Sequence, residues 1–150
     1  MATTVRNATL KVTIKEEITL NGSRQDSENI LRVSDINEMQ KRILTVEDAT
    51  NGTVIYGGAS TKGAGQFISS NVKYIRVTNL DDTNFILLHL EGNSHYAQFK
   101  LEAGKSFMLG TPVGFDNNAD IDNFSSETIT NITAKADTAD VDVEIVVAAA

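Results

Sequence analysis

Three stretches of this chain hold residue types at spacings that elsewhere carry chemistry. Gly104, Lys105 and Ser106 close the first half of "LEAGKSFML" in the way a nucleotide-phosphate loop ends. Such a loop needs an earlier glycine at a fixed distance, a strand before it and a helix after it, because backbone amides and the helix N-terminus hold the phosphates. Phe99 stands where that glycine belongs, and the strand-like "SFML" follows. "EAGK" therefore reads as a hairpin turn with Gly104 in the left-handed conformation. Lys62 in "GGASTKGAG" fails the same spacing.

The second stretch is "DNNADIDNFSSE", in which Asp116, Asn118, Asp120 and Asp122 take the first odd positions of a calcium loop and Glu127 takes its last. Oxygen ligands so spaced can wrap one hard cation, with the terminal Glu binding through both oxygens. Ile121 occupies the place of the glycine that makes the sharp turn, and the flanks look like strands rather than helices. The set is a weak calcium candidate beside the simpler reading of a solvated acidic loop, so no metal or other cofactor is expected.

The third group is the two histidines, His89 and His95. A metal or catalytic site would need a third partner, and His89 is expected to face Tyr96 across a hairpin as a packed, hydrogen-bonded imidazole. Asp81 and Asp82 are adjacent in a turn, where neighbouring side chains diverge and carboxylates cap backbone amides. No nucleophile on a sharp strand-to-helix turn is present. Catalytic residues are therefore not assigned, and the chain is not read as an enzyme.

The elements that must position these groups are strands. "ATLKVTI" and "ADVDVEIVV" alternate apolar and polar residues, and Thr, Val and Ile recur between closely spaced turn residues. "SDINEMQKRILTVED" carries both helical and strand-like spacing, and a strand from about Met39 to Val46 is expected. "NGTVIYGGASTKGAGQ" reads as a flexible loop or sheet-edge crossing, residues 110–128 as a long loop, residues 1–8 as an extended arm, and the final "AAA" as frayed.

The runs "NVKYIRVTN", "NFILLHLE", "HYAQFKL" and "SFML" are separated by gaps short enough for hairpins, which predicts a central four-strand antiparallel meander. Ile75, Val77, Ile86, Leu88, Ala97 and Phe99 then share one apolar face. The opposite face, with Tyr74, Phe85, Leu87 and Tyr96, is too apolar for ordinary solvent surface, and either another part of the chain or another subunit should cover it. The expected fold is an all-β, antiparallel β-sandwich of jelly-roll-like form, with residues 1–150 as one domain.

Composition narrows the function. Of 150 residues, 41% are apolar, enough for a core, while 13 Lys and Arg against 20 Asp and Glu leave a net charge of −7. That charge repels phosphates, so nucleic acid and anionic membranes are disfavoured as partners. The chain has no Cys, which removes disulfides and thiolate chemistry. Neither a signal peptide nor a membrane-length apolar run is seen, so a chain that is intracellular when made, and soluble, is expected.

The run "YIRVTNLDDTNF", the turn "LEAGKSF" and the closing "ADTADVDVEI" resemble small structural proteins of tailed phages, particularly marine and cyanobacterial ones. The resemblance covers about the last half of the chain and leaves residues 1–64 unmatched. It implies a virion component with a β-sandwich core present in many copies, and it carries over no catalytic or ligand residues. The expected function is a capsid decoration (cement) protein on the outer capsid, a homo-oligomer with a trimer favoured, whose partners are the major capsid protein or other virion proteins. A neck, tail or fibre component is the nearest alternative. A calcium-dependent binding module using the Asp116 to Glu127 loop is the alternative from another class.

Overall fold

The computed structural model describes residues 6–110, 113–116, 118 and 120–150, without the side chain of residue 113. Nearly all regular structure is strand. The first half holds β1 (Ala8–Glu16), β2 (Thr19–Leu20), β3 (Ser23–Arg24), β4 (Ser27–Ile36), β5 (Glu38–Val46), β6 (Thr53–Ala59) and β7 (Phe67–Ile68). A 3-10 turn, Ser69–Asn71, leads into β8 (Val72–Asn79). Then follow β9 (Ile86–Glu91), β10 (Tyr96–Leu101), β11 (Ser106–Leu109), β12 (Val113–Phe115), β13 (Glu127–Thr128), β14 (Asn131–Ala136) and β15 (Val141–Ala149).

Two sheets pack face to face as an antiparallel sandwich. One has the order β10-β9-β14-β6-β7, the other β11-β8-β15-β5, and among the described residues only the short β6–β7 pairing is parallel. Period-two alternation aims Ile86, Leu88 and Leu90 of the first sheet at Ile75, Val77, Val143, Ile145 and Val147 of the second, and these side chains form the main core. The ribbon β1–β4 lies over the outer face of the four-stranded sheet. There Leu10, Val12, Leu31, Val33 and Ile36 cover Tyr74, Met108, Val146 and Ala148 in a second cluster.

The expected meander is not what forms. The β9–β10 hairpin holds, with Phe99 opposite Leu88 and Leu101 opposite Ile86. But β8 and β9 stand in different sheets, and β11 returns to pair with β8. Ile75 and Val77 meet Ile86 and Leu88 across the core rather than edge to edge. Asn79 explains the change. Its side chain is fully buried where both crossings pass, and Nδ2 donates to the Asn84 carbonyl at 2.9 Å and the Leu101 carbonyl at 3.2 Å. Its backbone amide donates to the Lys105 carbonyl at 2.9 Å. One polar residue thus satisfies the backbone of two arches, which a hairpin at either place would have satisfied by ladder pairing.

Other expectations change too. Residues 53–59 are a paired strand rather than a loop, because Ile55 and Tyr56 bury against the core and Ile132 pairs with Tyr56. The C-terminus does not fray: Ala148 and Ala149 are fully buried in β15, and the Ala150 amide donates to the Asn71 carbonyl at 2.9 Å. The long loop is closed by the β12–β13 ribbon, in which Phe115 pairs with Glu127. The strand foreseen at residues 39–46 forms over Glu38–Val46. Of the arm foreseen at residues 1–8, residues 1–5 lie outside the described residues, and Ala8 already begins β1.

Candidate functional site

The Gly104 turn contains no phosphate site. Gly104 has φ +69°, as its turn requires, and the Lys105 amide closes the turn on the Glu102 carbonyl at 3.2 Å. The segment is a crossing between sheets, not a hairpin, and it runs into a strand with no helix N-terminus. Lys62 pairs with Glu38 at 3.0 Å. Asp81 is a turn residue, as its position implied: its carboxylate accepts from the Thr83 and Asn84 amides at 2.7 and 2.6 Å. Those bonds hold it below the usual carboxylate range, the Asn84 amide most strongly.

The acidic stretch divides into a pinned base and an open tip. Asp116 accepts from the Asn118 amide at 3.0 Å and the Ser125 amide at 2.5 Å, Asn118 from the Asp120 amide at 3.1 Å, and Asp120 from the Asp122 amide at 3.1 Å. Each side chain thus binds the backbone two residues on, and Asn118, Asp120 and Asp122 are exposed. Glu127 points elsewhere. Its carboxylate accepts from the Ser94 amide at 2.9 and 3.1 Å and from the His95 amide at 3.1 Å. The Ser94 amide does most to keep this carboxyl below its ordinary range. Among the described residues no three His, Asp or Glu side chains gather where a cation would sit.

His95 joins the two ends of this loop. Nε2 lies 3.1 Å from Asp116 Oδ1, and Nδ1 lies 3.3 Å from Glu127 Oε1 without hydrogen-bond geometry. His95 precedes β10 in the turn rather than lying within a strand. The sequence places His95 far from both carboxylates, and only the return of β12 and β13 to the β9–β10 turn unites them. His89 has the packed role expected of it. Its ring stacks on Tyr96 with centroids 5.7 Å apart, Nε2 meets Glu91 at 3.0 Å, and Nδ1 meets the Gln98 amide nitrogen at 3.1 Å. Both imidazoles face carboxylates or amides through both nitrogens, an arrangement that orients rings and leaves no nitrogen directed at a nucleophile.

The semi-apolar face expected in the middle of the chain is two faces. Tyr74 lies under the β1–β4 ribbon, only 2% exposed, so its own chain covers it. Burial pushes its phenol up, opposed by Arg76. Arg76 itself bridges Thr78 and Glu144 on the same side of the sheet. The outer face of the five-stranded sheet is open. There Leu87 is 44% exposed, Val54 57% and Tyr96 59%. His89, Glu91, Gln98, Thr133 and Lys135 line a shallow concavity of about 320 Å³ beside Leu87. Phe85 is half-buried at one end of this sheet, with the Lys100 ammonium 4.1 Å above its ring.

Compared with known proteins, the chain matches no family model, no curated protein and no solved structure.

Proposed function

We propose that this chain is a virion structural protein of a tailed phage, a capsid decoration protein that clamps neighbouring capsid subunits from outside. The observation that carries the reading is the unequal treatment of the two outer faces. The four-stranded sheet is roofed by β1–β4, whereas the five-stranded sheet leaves Leu87, Tyr96 and Val54 in solvent around a ring of polar groups. An uncovered sheet face on which large apolar side chains alternate with polar ones has the mixed composition of a subunit contact. The net charge of −7 suits a place away from packaged DNA. The strand-and-turn motifs from Tyr74 to Phe107 and from Ala136 to Ile145 support the same assignment.

In this reading the open face meets a second copy of the chain, and three copies close around a symmetry axis. Light scattering on a sizing column is expected to give the mass of a trimer, and Leu87→Asp with Tyr96→Ala to give a folded monomer. Purified particles should hold the protein in simple proportion to the major capsid protein. A few copies per particle would assign it to the neck, tail or fibre instead, and a monomer that binds no capsid overturns the proposal.

A further inference from the structure

Three copies closed around one axis are held head to tail, so the surface that a copy offers differs from the surface on which its neighbour receives it. The open face supplies one of these surfaces, and the other must lie elsewhere on the chain. The outer face of β5 has the properties required. The β1–β4 ribbon covers Tyr74 of β8, Met108 of β11, and Val146 and Ala148 of β15, and it leaves β5 without a roof. Met39, Lys41 and Ile43 stand opposite Ala148, Val146 and Glu144, so they point to the ribbon's side of the sheet. Met39 is 56% exposed and Ile43 63%, with the Lys41 side chain between them. The carboxylates nearest to this strip are already engaged, Glu38 by Lys62 at 3.0 Å and Glu144 by Arg76. Lys41 and the exposed Arg42 therefore leave the strip with an excess of positive charge.

The complement of that strip is on the acidic loop. Ile121 is 92% exposed and Phe124 61%, and Asp120 and Asp122 beside them are exposed carboxylates. The tip is held in shape before it meets anything: Asn118 Nδ2 donates to the Asn123 carbonyl at 3.0 Å, and the Asn123 amide to the Asp120 carbonyl at 3.1 Å. A loop ordered in advance loses less entropy on binding. His95, next to Tyr96 in the chain, meets both ends of this loop, Asp116 at 3.1 Å and Glu127 at 3.3 Å, so the tip springs from the Tyr96 end of the open face. Two apolar side chains among carboxylates thus match two apolar side chains among cations. Another exposed apolar pair, Ile18 and Leu20, does not suit the tip, because Glu16, Glu17 and Asp26 there outnumber Lys15 and Arg24.

We infer that the outer strip of β5 receives the Asp120–Phe124 tip of a second copy of this chain. Met39 and Ile43 take Ile121 and Phe124, while Lys41 and Arg42 face Asp120 and Asp122. The inference rests on the assembly proposed above and gives it a direction, from the tip and open face of one copy to the β5 strip of the next. Two β5 edges brought together would instead set Lys41 and Arg42 against the same cations, which disfavours a two-fold contact there. A contact in which every copy both offers a tip and receives one is satisfied throughout only when the ring closes.

The test is light scattering on a sizing column with the parent chain and two variants changed only at exposed residues. The strip variant carries Met39→Ser with Ile43→Ser, and the tip variant Ile121→Ser with Phe124→Ser. Each should melt as the parent does, assemble about tenfold more weakly per side chain removed, and run as a monomer. Mixed in equal amounts they should give the mass of one copy of each, because the intact strip of the tip variant can receive the intact tip of the strip variant while the second contact fails. Charge reversal gives an independent reading. Asp120→Lys with Asp122→Lys should disperse the trimer, and Lys41→Glu with Arg42→Glu in the same chain should restore it. Parental mass for both serine variants, a mixture that stays monomeric, or no rescue by the paired reversal overturns the inference and leaves a trimer built on the open face standing. A parent chain that is itself monomeric overturns the assembly, and this contact with it.

Discussion

Single polar residues govern the turns of this molecule more than its apolar residues do. Asn79 is the plainest case, since three hydrogen bonds on its side chain serve the Asn84 and Leu101 carbonyls and the Asp81 amide. Asn79→Ala leaves those buried groups unpaired and should cost about 2–3 kcal/mol or more in urea unfolding. Carboxylates fix the loops similarly. Glu127 is held below its ordinary range chiefly by the Ser94 amide, Glu91 by Asn131, Glu144 by Arg76 and Asp81 by the Asn84 amide. A depressed native carboxyl contributes stability that is complete above its unfolded value and is lost as pH falls towards the native one. Melting temperature is therefore expected to stay level from neutral pH to about 4.5 and to drop steadily below it. Glu127→Gln should lower it at neutral pH and flatten the acid slope.

At the scale of elements, the two sheets and the ribbon differ in how they are held. β15 pairs on both sides, with β5 and β8, and buries residues on both of its faces. β1–β4 is a two-stranded ribbon whose backbone edges face solvent and whose apolar residues reach only the second cluster. Two-stranded ribbons draw their stability from what they pack on. Hydrogen exchange should accordingly find the amides of Val143 to Val147 slowest and those of Lys11 to Ile14 much faster, opening without global unfolding. Equal protection in the two would show the ribbon to be part of one cooperative core.

The whole molecule is closed by its last strand. β15 supplies Val141, Val143, Ile145, Val147 and Ala149 to the main core and Val146 and Ala148 to the second cluster. Its partner β5 begins at residue 38, so the central pairing joins parts of the chain about one hundred residues apart. A chain ending at Asp140 is expected to show no cooperative melting by circular dichroism, since neither cluster survives without that strand. The open face of the five-stranded sheet contributes nothing to this closure, and for that reason substitutions at Leu87 can test assembly without disturbing folding.

Much of this was legible in the residues themselves. Alternation is a local property of extended backbone, so the inward set Ile75, Val77, Ile86, Leu88 and Val143 could be read directly, along with the strands, the Gly104 turn and the capping role of Asp81. Partner choice is not local. The gaps after Asn79 and Leu101 are short enough for hairpins, yet both are arches, because burying Ile75 against Ile86 across two sheets removes more apolar surface than pairing them edge to edge. The calcium-like spacing from Asp116 to Glu127 was likewise visible, whereas the capture of Glu127 by Ser94 and His95 depends on a contact across more than thirty residues. Local chemistry therefore determined which residues face inward and where the chain turns. Only tertiary packing, which sums contacts over distant segments, decided which strands pair, which face stays open and which side chains meet.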